Sequence, residues 1–357
     1  MKAIKVNADY ESVLFHQKEG PRIVNESLEF LSLFIENRPL FSFKKYDQEY
    51  LDYIRSITGN RPVIVNEGEF ENWWGALSNI PLEQKLNSKE FTAGLNQDSK
   101  IISSLSELVL ENDKSYLAKN PFGMSGQNFQ VFQSSVKESI KPLLQKTGRL
   151  LVEPFLKREA DFSHYVFSPE LEICYENLVD QSFQYKGTLF NDRFHPGTES
   201  LRFYKKLDSD KWDEFQQSYS RLKDLCLSAG VYGGYSVDSF TYKENQELCI
   251  RAVSEINFRK TMGMVAWKLS EKFTAKNPWT LFLVVKPSKN PLSFQDLKMQ
   301  IESISWSPED KRGALLLSPG DTRFHFFLLS AGSAQEGRVL FRELKNLLPD
   351  CQFSVEL

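Results

Sequence analysis

The sequence predicts a mixed α/β protein, and three patterns along the chain lead to this expectation. Residues 40–65 have the pattern strand, helix, strand; residues 85–275 alternate strands and helices; and residues 278–357 follow the order βαββαβ. The chain has 357 residues, 41% hydrophobic and 25% charged, which is an ordinary globular composition. Its formal net charge of −3 excludes a polybasic coat and an acidic disordered tail, so no nucleic-acid partner is expected.

The N-terminal segment, residues 1–84, is expected to hold a short parallel βαβ unit. Leu40–Phe43 and Pro62–Val65 have strand character, and a helix over 47–57 would place Leu51 and Ile54 on one face. The unit lacks the GxGxxG pattern of a dinucleotide site. Before it, Asn25 is expected to cap a helix whose apolar residues recur every three or four positions, namely Leu28, Leu31, Phe34 and Ile35.

Residues 85–277 are expected to form a second region that contains two hairpins. Tyr116–Lys119 and Phe129–Phe132 flank a turn-rich loop, and Tyr235–Tyr242 and Glu247–Asn257 flank a polar turn. Helices are expected over 134–145 and 211–229, and strands over 149–155 and 162–167. The third region, residues 278–357, has the split-βαβ order of ferredoxin-like domains.

Cysteine spacing and hydropathy indicate the cellular setting. The four cysteines form no CxxC pair, so we expect buried free thiols in a reducing compartment rather than a structural zinc site. No apolar stretch approaches the roughly 20 residues that cross a bilayer. Residues 1–25 lack the apolar core of a signal peptide. These features predict a cytoplasmic protein without a membrane partner.

The first candidate site follows Lys119. A lysine at the end of a strand can contact phosphate as a point charge. Gly123, Ser125 and Gly126 would let backbone N–H groups approach an anion closely. The loop is not a Walker A motif, because GxxxxGK[ST] is absent. Taken alone, this pattern is more typical of a flexible hairpin turn.

The second candidate lies at the end of the apolar strand over 149–155. At Glu153-Pro-Phe-Leu156 the chain leaves the core, so its backbone groups are free to pair with the edge of a planar ligand. Asp161 follows shortly, where a carboxylate can accept hydrogen bonds from vicinal hydroxyls. Taken alone, the motif is typical of any strand end.

The third candidate is a pair of carboxylates on the second hairpin. With a turn centred near Gln246, Asp238 and Glu255 are expected to be cross-strand neighbours with Cβ atoms about 5 Å apart. Opposed carboxylates repel, and a divalent cation is the simplest compensation. Asn257 is expected on the same face, and this all-oxygen set suits Mg²⁺. The alternative is a solvated pair on an exposed hairpin face.

Together these three sites resemble the ATP-grasp superfamily over residues 85–275. The resemblance is carried by Lys119 with its glycine-bearing loop, by Glu153-Pro-Phe-Leu156, and by Asp238 followed by Glu255-Ile-Asn257-Phe-Arg259. It implies an ATP-grasp fold between an N-terminal βαβ-containing segment and a C-terminal βαββαβ region.

The resemblance implies how the nucleotide is held. Lys89, at the head of a helix, and Lys119 would contact the phosphates, under a mobile lid that contains Gly123, Ser125 and Gly126. The adenine and the ribose would lie against a second set of residues: Glu153 and Leu156 at the adenine edge, Phe155 beside it, and Asp161 at the ribose hydroxyls.

The metal ligands and the reacting group are implied in the same way. Asp238, Glu255 and Asn257 would hold Mg²⁺, with Mn²⁺ as a substitute, and Arg259 would act with Lys119 on the transferred phosphoryl group. Two departures from the pattern bear on substrate. Asp238 and Glu255 are further apart in sequence than in many members, and Ser236 stands where one branch of the superfamily has arginine.

The implied activity is that of an ATP-dependent ligase. ATP would activate a small-molecule or peptide carboxylate as an acyl phosphate, and an amine or similar nucleophile would displace phosphate. A non-catalytic ATP-binding regulatory protein and a kinase acting on a hydroxyl are the alternatives, and a homodimer is a candidate assembly. The sequence identifies neither the acid nor the nucleophile, because acceptor pockets are built from variable loops.

Overall fold

The computed structural model describes residues 2–16, 22–96, 98–122, 129–288 and 291–357. The N-terminal segment carries a parallel four-stranded sheet in the order β3-β2-β1-β4. Its strands are β1 (Ala3–Lys5), β2 (Leu40–Phe41), β3 (Ile64–Val65) and β4 (Phe70–Asn72), and its helices are α1 (Tyr10–His16), α2 (Arg22–Glu26), α3 (Phe30–Ile35) and α4 (Gln48–Thr58). The predicted parallel βαβ unit is therefore confirmed as β2, α4 and β3.

The predicted cap at Asn25 is wrong. Asn25 lies inside α2, and the apolar helix begins only at Phe30. The Asn25 amide is used in a tertiary contact instead, because it donates to Asp9 Oδ1 at 2.9 Å and accepts from the Asp9 backbone N–H at 3.1 Å.

The following segment forms a small antiparallel sheet in the order β5-β8-β6-β7. Helices α5 (Ile80–Asn87) and α6 (Lys89–Ala93) precede it, and its strands are β5 (Lys100–Ile102), β6 (Ser115–Lys119), β7 (Phe129–Gln133) and β8 (Leu150–Pro154). A 3₁₀ turn covers Leu105–Glu107. Strands β6 and β7 pair as the predicted hairpin, Lys119 opposite Phe129.

The helix predicted over 134–145 is broken. Ser134–Ile140 is 3₁₀, with Val136 outside helical geometry at φ −121° and ψ 36°, and α7 (Lys141–Thr147) begins after it. Pro142 explains the break, because proline has no N–H and fits only the first turn of a helix.

A nine-stranded antiparallel sheet forms the centre of the protein. Its main path runs β13-β12-β9-β10-β11-β14-β16-β15, and β17 pairs with β14. The first five strands are β9 (Arg158–Ser168), β10 (Leu171–Val179), β11 (Tyr185–Phe190), β12 (Tyr235–Glu244) and β13 (Glu247–Asn257). Helix α8 (Ser209–Ser228) and 3₁₀ turns at Thr198–Ser200 and Tyr204–Lys206 lie between β11 and β12 in sequence. Strands β10 and β11 were not predicted.

The last region confirms the predicted βαββαβ order. It consists of β14 (Trp279–Pro287), α10 (Phe294–Gln300), β15 (Gly313–Leu316), β16 (His325–Ala331), α11 (Ala334–Leu347) and β17 (Cys351–Gln352), with a 3₁₀ turn at Glu302–Ile304. Its strands pair in the order β17-β14-β16-β15. Strand β14 also pairs with β11, so this region continues the large sheet, while the division of the chain at residue 278 stays a prediction.

Two helices cover opposite faces of the central sheet. Phe162 and Val166 of β9 pack in one cluster with α8, whereas Asp161 and Ser163 alternate with them and line a cavity on the other face. Helix α9 (Met262–Phe273) contributes Met264, Val265 and Leu269 to the core that joins the N-terminal and C-terminal regions. The same core contains residues such as Phe34, Tyr50 and Phe282.

The four cysteines are buried and form no disulfide, and no described helix could cross a membrane.

The start of α9 gives a stability prediction. A Cβ on Gly263 would lie 2.1 Å from ring atoms of Tyr175, which is 2% exposed and cannot move away. We expect Gly263→Ala to lower the free energy of unfolding by about 1–3 kcal/mol in urea denaturation. Gly94→Ala is the control, because a Cβ there meets nothing within 4 Å. Equal stability of the two variants would show that Tyr175 is not held against α9.

Candidate functional site

One cavity of about 680 Å³ lies on the polar face of the central sheet. Its volume is in the range of small-molecule sites. The small sheet, the hairpin β12–β13, helix α9 and the C-terminal strands all contribute to its wall. Ten of the predicted site residues line it: Lys89, Lys119, Glu153, Phe155, Leu156, Asp161, Asp238, Glu255, Asn257 and Arg259. The predicted lid residues Gly123, Ser125 and Gly126 lie outside the described residues.

The hairpin β12–β13 places Asp238 directly opposite Glu255, as predicted. The reason differs from the one predicted. The turn is the two residues Asn245 and Gln246, both with positive φ, so Phe240 pairs with Arg251. A bulge then sets three residues, Ala252–Ser254, against the single Ser239. Without this bulge Asp238 would face the buried Val253.

Asp238 is held by neutral donors. Ser163 Oγ donates to its Oδ1 at 2.6 Å, and Asn257 Nδ2 donates to its Oδ2 at 3.0 Å. Asn177 fixes the serine by donating from Nδ2 to Ser163 Oγ at 2.5 Å. Burial and, next, the facing carboxylate of Glu255 raise the pKa of Asp238 to about 6. The repulsion between the opposed carboxylates is therefore only partly compensated by the protein.

Glu255 is paired with a cation from α6. Lys89 is the first residue of this helix, whose N-cap Ser88 accepts from the Glu90 backbone N–H at 3.1 Å. The Lys89 ammonium lies 3.0 Å from Glu255 Oε1. Burial raises the pKa of Glu255, but Lys89 and the more distant Lys119 outweigh it, so the pKa lies below its usual value. The two opposed carboxylates therefore differ in proton affinity.

Lys119 and Glu153 form a buried ion pair across β6 and β8. The pair continues to β13, because Arg251 Nη2 lies 3.4 Å from Glu153 Oε2 and Arg251 Nη1 lies 2.5 Å from Asp98 Oδ1. Burial lowers the pKa of Lys119 even though Glu153 opposes the shift. This chain of ion pairs joins the small sheet to the central sheet, and sequence analysis did not identify Arg251.

The strand end at Glu153–Leu156 presents backbone groups to the cavity. Phe155 N–H is used within the small sheet, since it donates to the Ser115 carbonyl at 2.9 Å. The Leu156 N–H has no hydrogen-bond acceptor among the described residues. Leu117 and Phe129 also line this part of the cavity and make it apolar. The edge of a planar ligand could accept a hydrogen bond from the Leu156 N–H here without breaking a hydrogen bond within the protein.

Asp161 and Arg259 each have an ionic partner that the sequence did not suggest. Arg158 Nη1 donates to Asp161 Oδ1 at 2.6 Å, and its guanidinium lies 4.4 Å from the ring centroid of Phe240. Arg259 Nε donates to Glu11 Oε1 at 2.8 Å, so α1 reaches the site. Burial disfavours the charged form of Arg259, but Glu11 outweighs this effect and raises the pKa. Glu11 is too far from Arg259 along the chain for a local pattern to reveal this pair, whereas Arg158 lies only three residues before Asp161.

No protein-family model matches the chain, and no curated protein matches it. Its structure is similar to that of an N⁵-carboxyaminoimidazole ribonucleotide synthetase from Thermus thermophilus, at 12% identity, with 100% of both chains covered and a TM-score of 0.49. An ADP complex of the Staphylococcus aureus N⁵-carboxyaminoimidazole synthetase gives 10% identity, 96% and 98% coverage, and a TM-score of 0.49.

A biotin carboxylase–β,γ-ATP complex from Campylobacter jejuni is also similar. It has 10% identity, covers 79% of this chain and 70% of its own, and gives a TM-score of 0.48.

Proposed function

We propose that this chain is an ATP-dependent ligase that activates a carboxylate as an acyl phosphate for attack by an amine or similar nucleophile. The observation that carries the proposal is the meeting, in one cavity, of two opposed carboxylates, an amide and the cations Lys119 and Arg259. Phosphoryl transfer needs this combination, because its catalysis is mainly positioning and neutralisation of charge.

In this proposal the small sheet and the strand end hold ATP. The adenine edge lies on the backbone of Glu153 and Leu156 beside Phe155, and the ribose hydroxyls donate to Asp161. Lys119 and Lys89 then contact the phosphates, and each would exchange part of its contact with Glu153 or Glu255 for a phosphate oxygen. The unused Leu156 N–H supports this placement of the adenine.

Asp238, Glu255 and Asn257 would hold Mg²⁺. The three side chains offer only oxygen ligands from the protein, and among the described residues no group of three or more His, Cys, Asp or Glu side chains competes as a metal site. A site with two carboxylates suits Mg²⁺, which completes its coordination with substrate phosphates and water. Burial, and next the facing carboxylate of Glu255, raise the pKa of Asp238, and a bound cation would oppose both effects by favouring the charged form. When bound, the metal supplies neutralisation of phosphate charge.

The chemistry then has two steps. A carboxylate oxygen of the substrate attacks the γ-phosphorus; the bond from phosphorus to the ADP oxygen breaks, and an acyl phosphate forms. The amine next attacks the acyl carbon, the carbon–oxygen bond to phosphate breaks with its electron pair, and the amine loses a proton. Arg259 neutralises the transferred group in the first step and the leaving phosphate in the second. No nucleophilic side chain is required.

The proposal is tested by phosphate release from ATP and Mg²⁺ with mixtures of carboxylates and amines. Release that needs both a carboxylate and an amine supports the ligase, and hydroxylamine in place of the amine should yield a hydroxamate. A stable phosphate ester formed on a hydroxyl compound would instead support a kinase. ATP binding without turnover in any mixture would support a regulatory nucleotide-binding protein.

A further inference from the structure

The end of the cavity remote from Glu153 is built by the C-terminal strands. We use the name distal wall for six of its lining residues: Lys186, Val284, Lys286, Arg323, Phe324 and Phe326. Strand β11 supplies Lys186, β14 supplies Val284 and Lys286, and β16 with the residues before it supplies the rest. Sequence analysis assigned nothing to these positions.

Strand register explains why these side chains share one face. Val284 pairs with Phe326, and the same register places Lys286 beside Phe324. Strands β11 and β14 pair with Gly187 opposite Leu283, which places Lys186 beside Val284. Paired residues of antiparallel strands point to one face, and side chains alternate along each strand. The distal wall therefore continues the face that carries Asp238 and Ser163.

Charge is divided unequally between the two halves of the cavity. Among the described residues, four acidic side chains line the cavity. All four lie in the half that is proposed to hold the nucleotide and the metal, namely Glu153, Asp161, Asp238 and Glu255. Three of them form ion pairs there: Glu153 with Lys119, Asp161 with Arg158, and Glu255 with Lys89.

The distal wall instead carries three cations and no lining carboxylate. Lys186 lies 3.0 Å from Asp180, which is outside the lining. Lys286 and Arg323 form no ion pair with any described residue, and the Arg323 guanidinium stacks 5.3 Å from the ring centroid of Phe324. Cations that converge on a cavity with low-dielectric walls concentrate anionic ligands.

Strand spacing sets the distance between the two halves. Three strand-to-strand steps separate β12 from β11 and four separate it from β14. At about 4.8 Å per step, Lys186 lies roughly 14 Å and Lys286 roughly 19 Å from the strand of Asp238. Of the two strands between them, β9 lines the cavity with the paired Arg158 and Asp161, whereas β10 lines it with the neutral Tyr175, Asn177 and Val179.

We infer that the acid substrate is an elongated molecule with a second, non-reacting anionic group that binds Lys186, Lys286 and Arg323. Its middle lies along Tyr175 and Val179 of β10, its distal end packs beside Val284, Phe324 and Phe326, and its reacting carboxylate lies near Arg259. Arg323 supplies a planar fork that can bind a carboxylate or phosphate through two hydrogen bonds. This inference rests on the proposed function for the position of the reacting end.

Calorimetric titration of the full chain with matched probes tests the inference. The probes are α,ω-dicarboxylates from hexanedioate to hexadecanedioate, the monocarboxylates of equal length, and the α,ω-diamines of equal length. Each is titrated with Mg²⁺ and a non-hydrolysable imido analogue of ATP. We expect one length range of dicarboxylates to bind at least tenfold more tightly than the matching monocarboxylates, and the diamines not to bind.

Two double variants separate the distal wall from general charge. Lys286→Gln with Arg323→Gln should remove the preference for dicarboxylates and leave monocarboxylate binding unchanged. Arg338→Gln with Lys345→Gln, on the exposed face of α11, removes the same charge and should keep the preference.

Three results would each overturn the inference. Mono- and dicarboxylates could bind with equal affinity at every length, no dicarboxylate could bind, or the preference for dicarboxylates could survive in the distal-wall variant. Binding of the ATP analogue is measured in the same samples. If the analogue binds and the preference is absent, the inference fails while the proposed function stands. If the analogue does not bind, the proposed function fails.

Discussion

Glu255→Gln should reduce phosphate release by on the order of 10³-fold while the protein stays folded. Glutamine keeps the shape of the side chain and can still accept a hydrogen bond from Lys89, which lies 3.0 Å from Glu255 Oε1. The change removes one of the two opposed carboxylates that the proposed metal site requires. It relieves the repulsion on Asp238 but also removes the negative charge that pairs with Lys89, so we expect the fold to persist with only a small change in melting temperature. Steady-state phosphate release and a thermal melt measure the two effects.

The same hairpin offers a matched control. Glu247 pairs with Glu244 at the exposed end of the hairpin, so it is a second opposed carboxylate pair outside the cavity. Glu247→Gln should therefore keep wild-type turnover. Turnover near the wild-type level in Glu255→Gln, or equal losses in both variants, would mean that the facing pair is not the metal site.

Arg259→Lys should lower kcat by about 10²-fold or more and change the KM for ATP little. Arg259 is fixed from one side, because Nε donates to Glu11 Oε1 at 2.8 Å and Nη1 donates to the Lys260 carbonyl at 3.2 Å. Lysine keeps the charge but loses this planar fork, so the cation is no longer aimed at the reacting phosphoryl group. ATP affinity is expected to persist, since Lys89, Lys119 and the Glu153–Leu156 strand end are unchanged.

Separate measurement of kcat and KM decides the role of Arg259. A large rise in the KM for ATP with kcat kept would make it a ground-state binding residue. Arg338→Lys, at an exposed position of α11, controls for the exchange itself and should leave both constants unchanged.

The sequence predicted the parts of the site that depend on local periodicity. Alternation along β12 and β13 places Asp238, Glu255 and Asn257 on one face, and the strand end after Val152 follows from the apolar run before it. The pairing of Asp238 with Glu255 was correct, although the assumed turn was off by one residue. The bulge opposite Ser239 shifted the strand register and so compensated for the error in the turn position. No simple sequence pattern predicts such a bulge.

Other parts depend on contacts between distant segments. Arg251 meets Glu153 only because β13 and β8 approach across two sheets, and Glu11 meets Arg259 only because α1 packs on the site. The distal wall exists because β14 pairs with β11 and thereby joins the C-terminal region to the central sheet. Pairing of strands so far apart in sequence is set by tertiary packing, which single-sequence patterns do not contain.

The central claim, that this cavity binds ATP through a metal on Asp238 and Glu255, is tested most directly by calorimetry of ATP binding with and without Mg²⁺. We expect ATP with Mg²⁺ to bind the wild-type chain and Glu247→Gln equally. Glu255→Gln should bind ATP with an affinity that no longer depends on Mg²⁺.

Binding should also stabilise the wild-type fold. When ATP with Mg²⁺ is present at 100 times the dissociation constant of its complex with the protein, we expect the free energy of unfolding to rise by about 2.7 kcal/mol. No heat of binding and no change in melting temperature at millimolar ATP and Mg²⁺, in a folded sample, would contradict the claim.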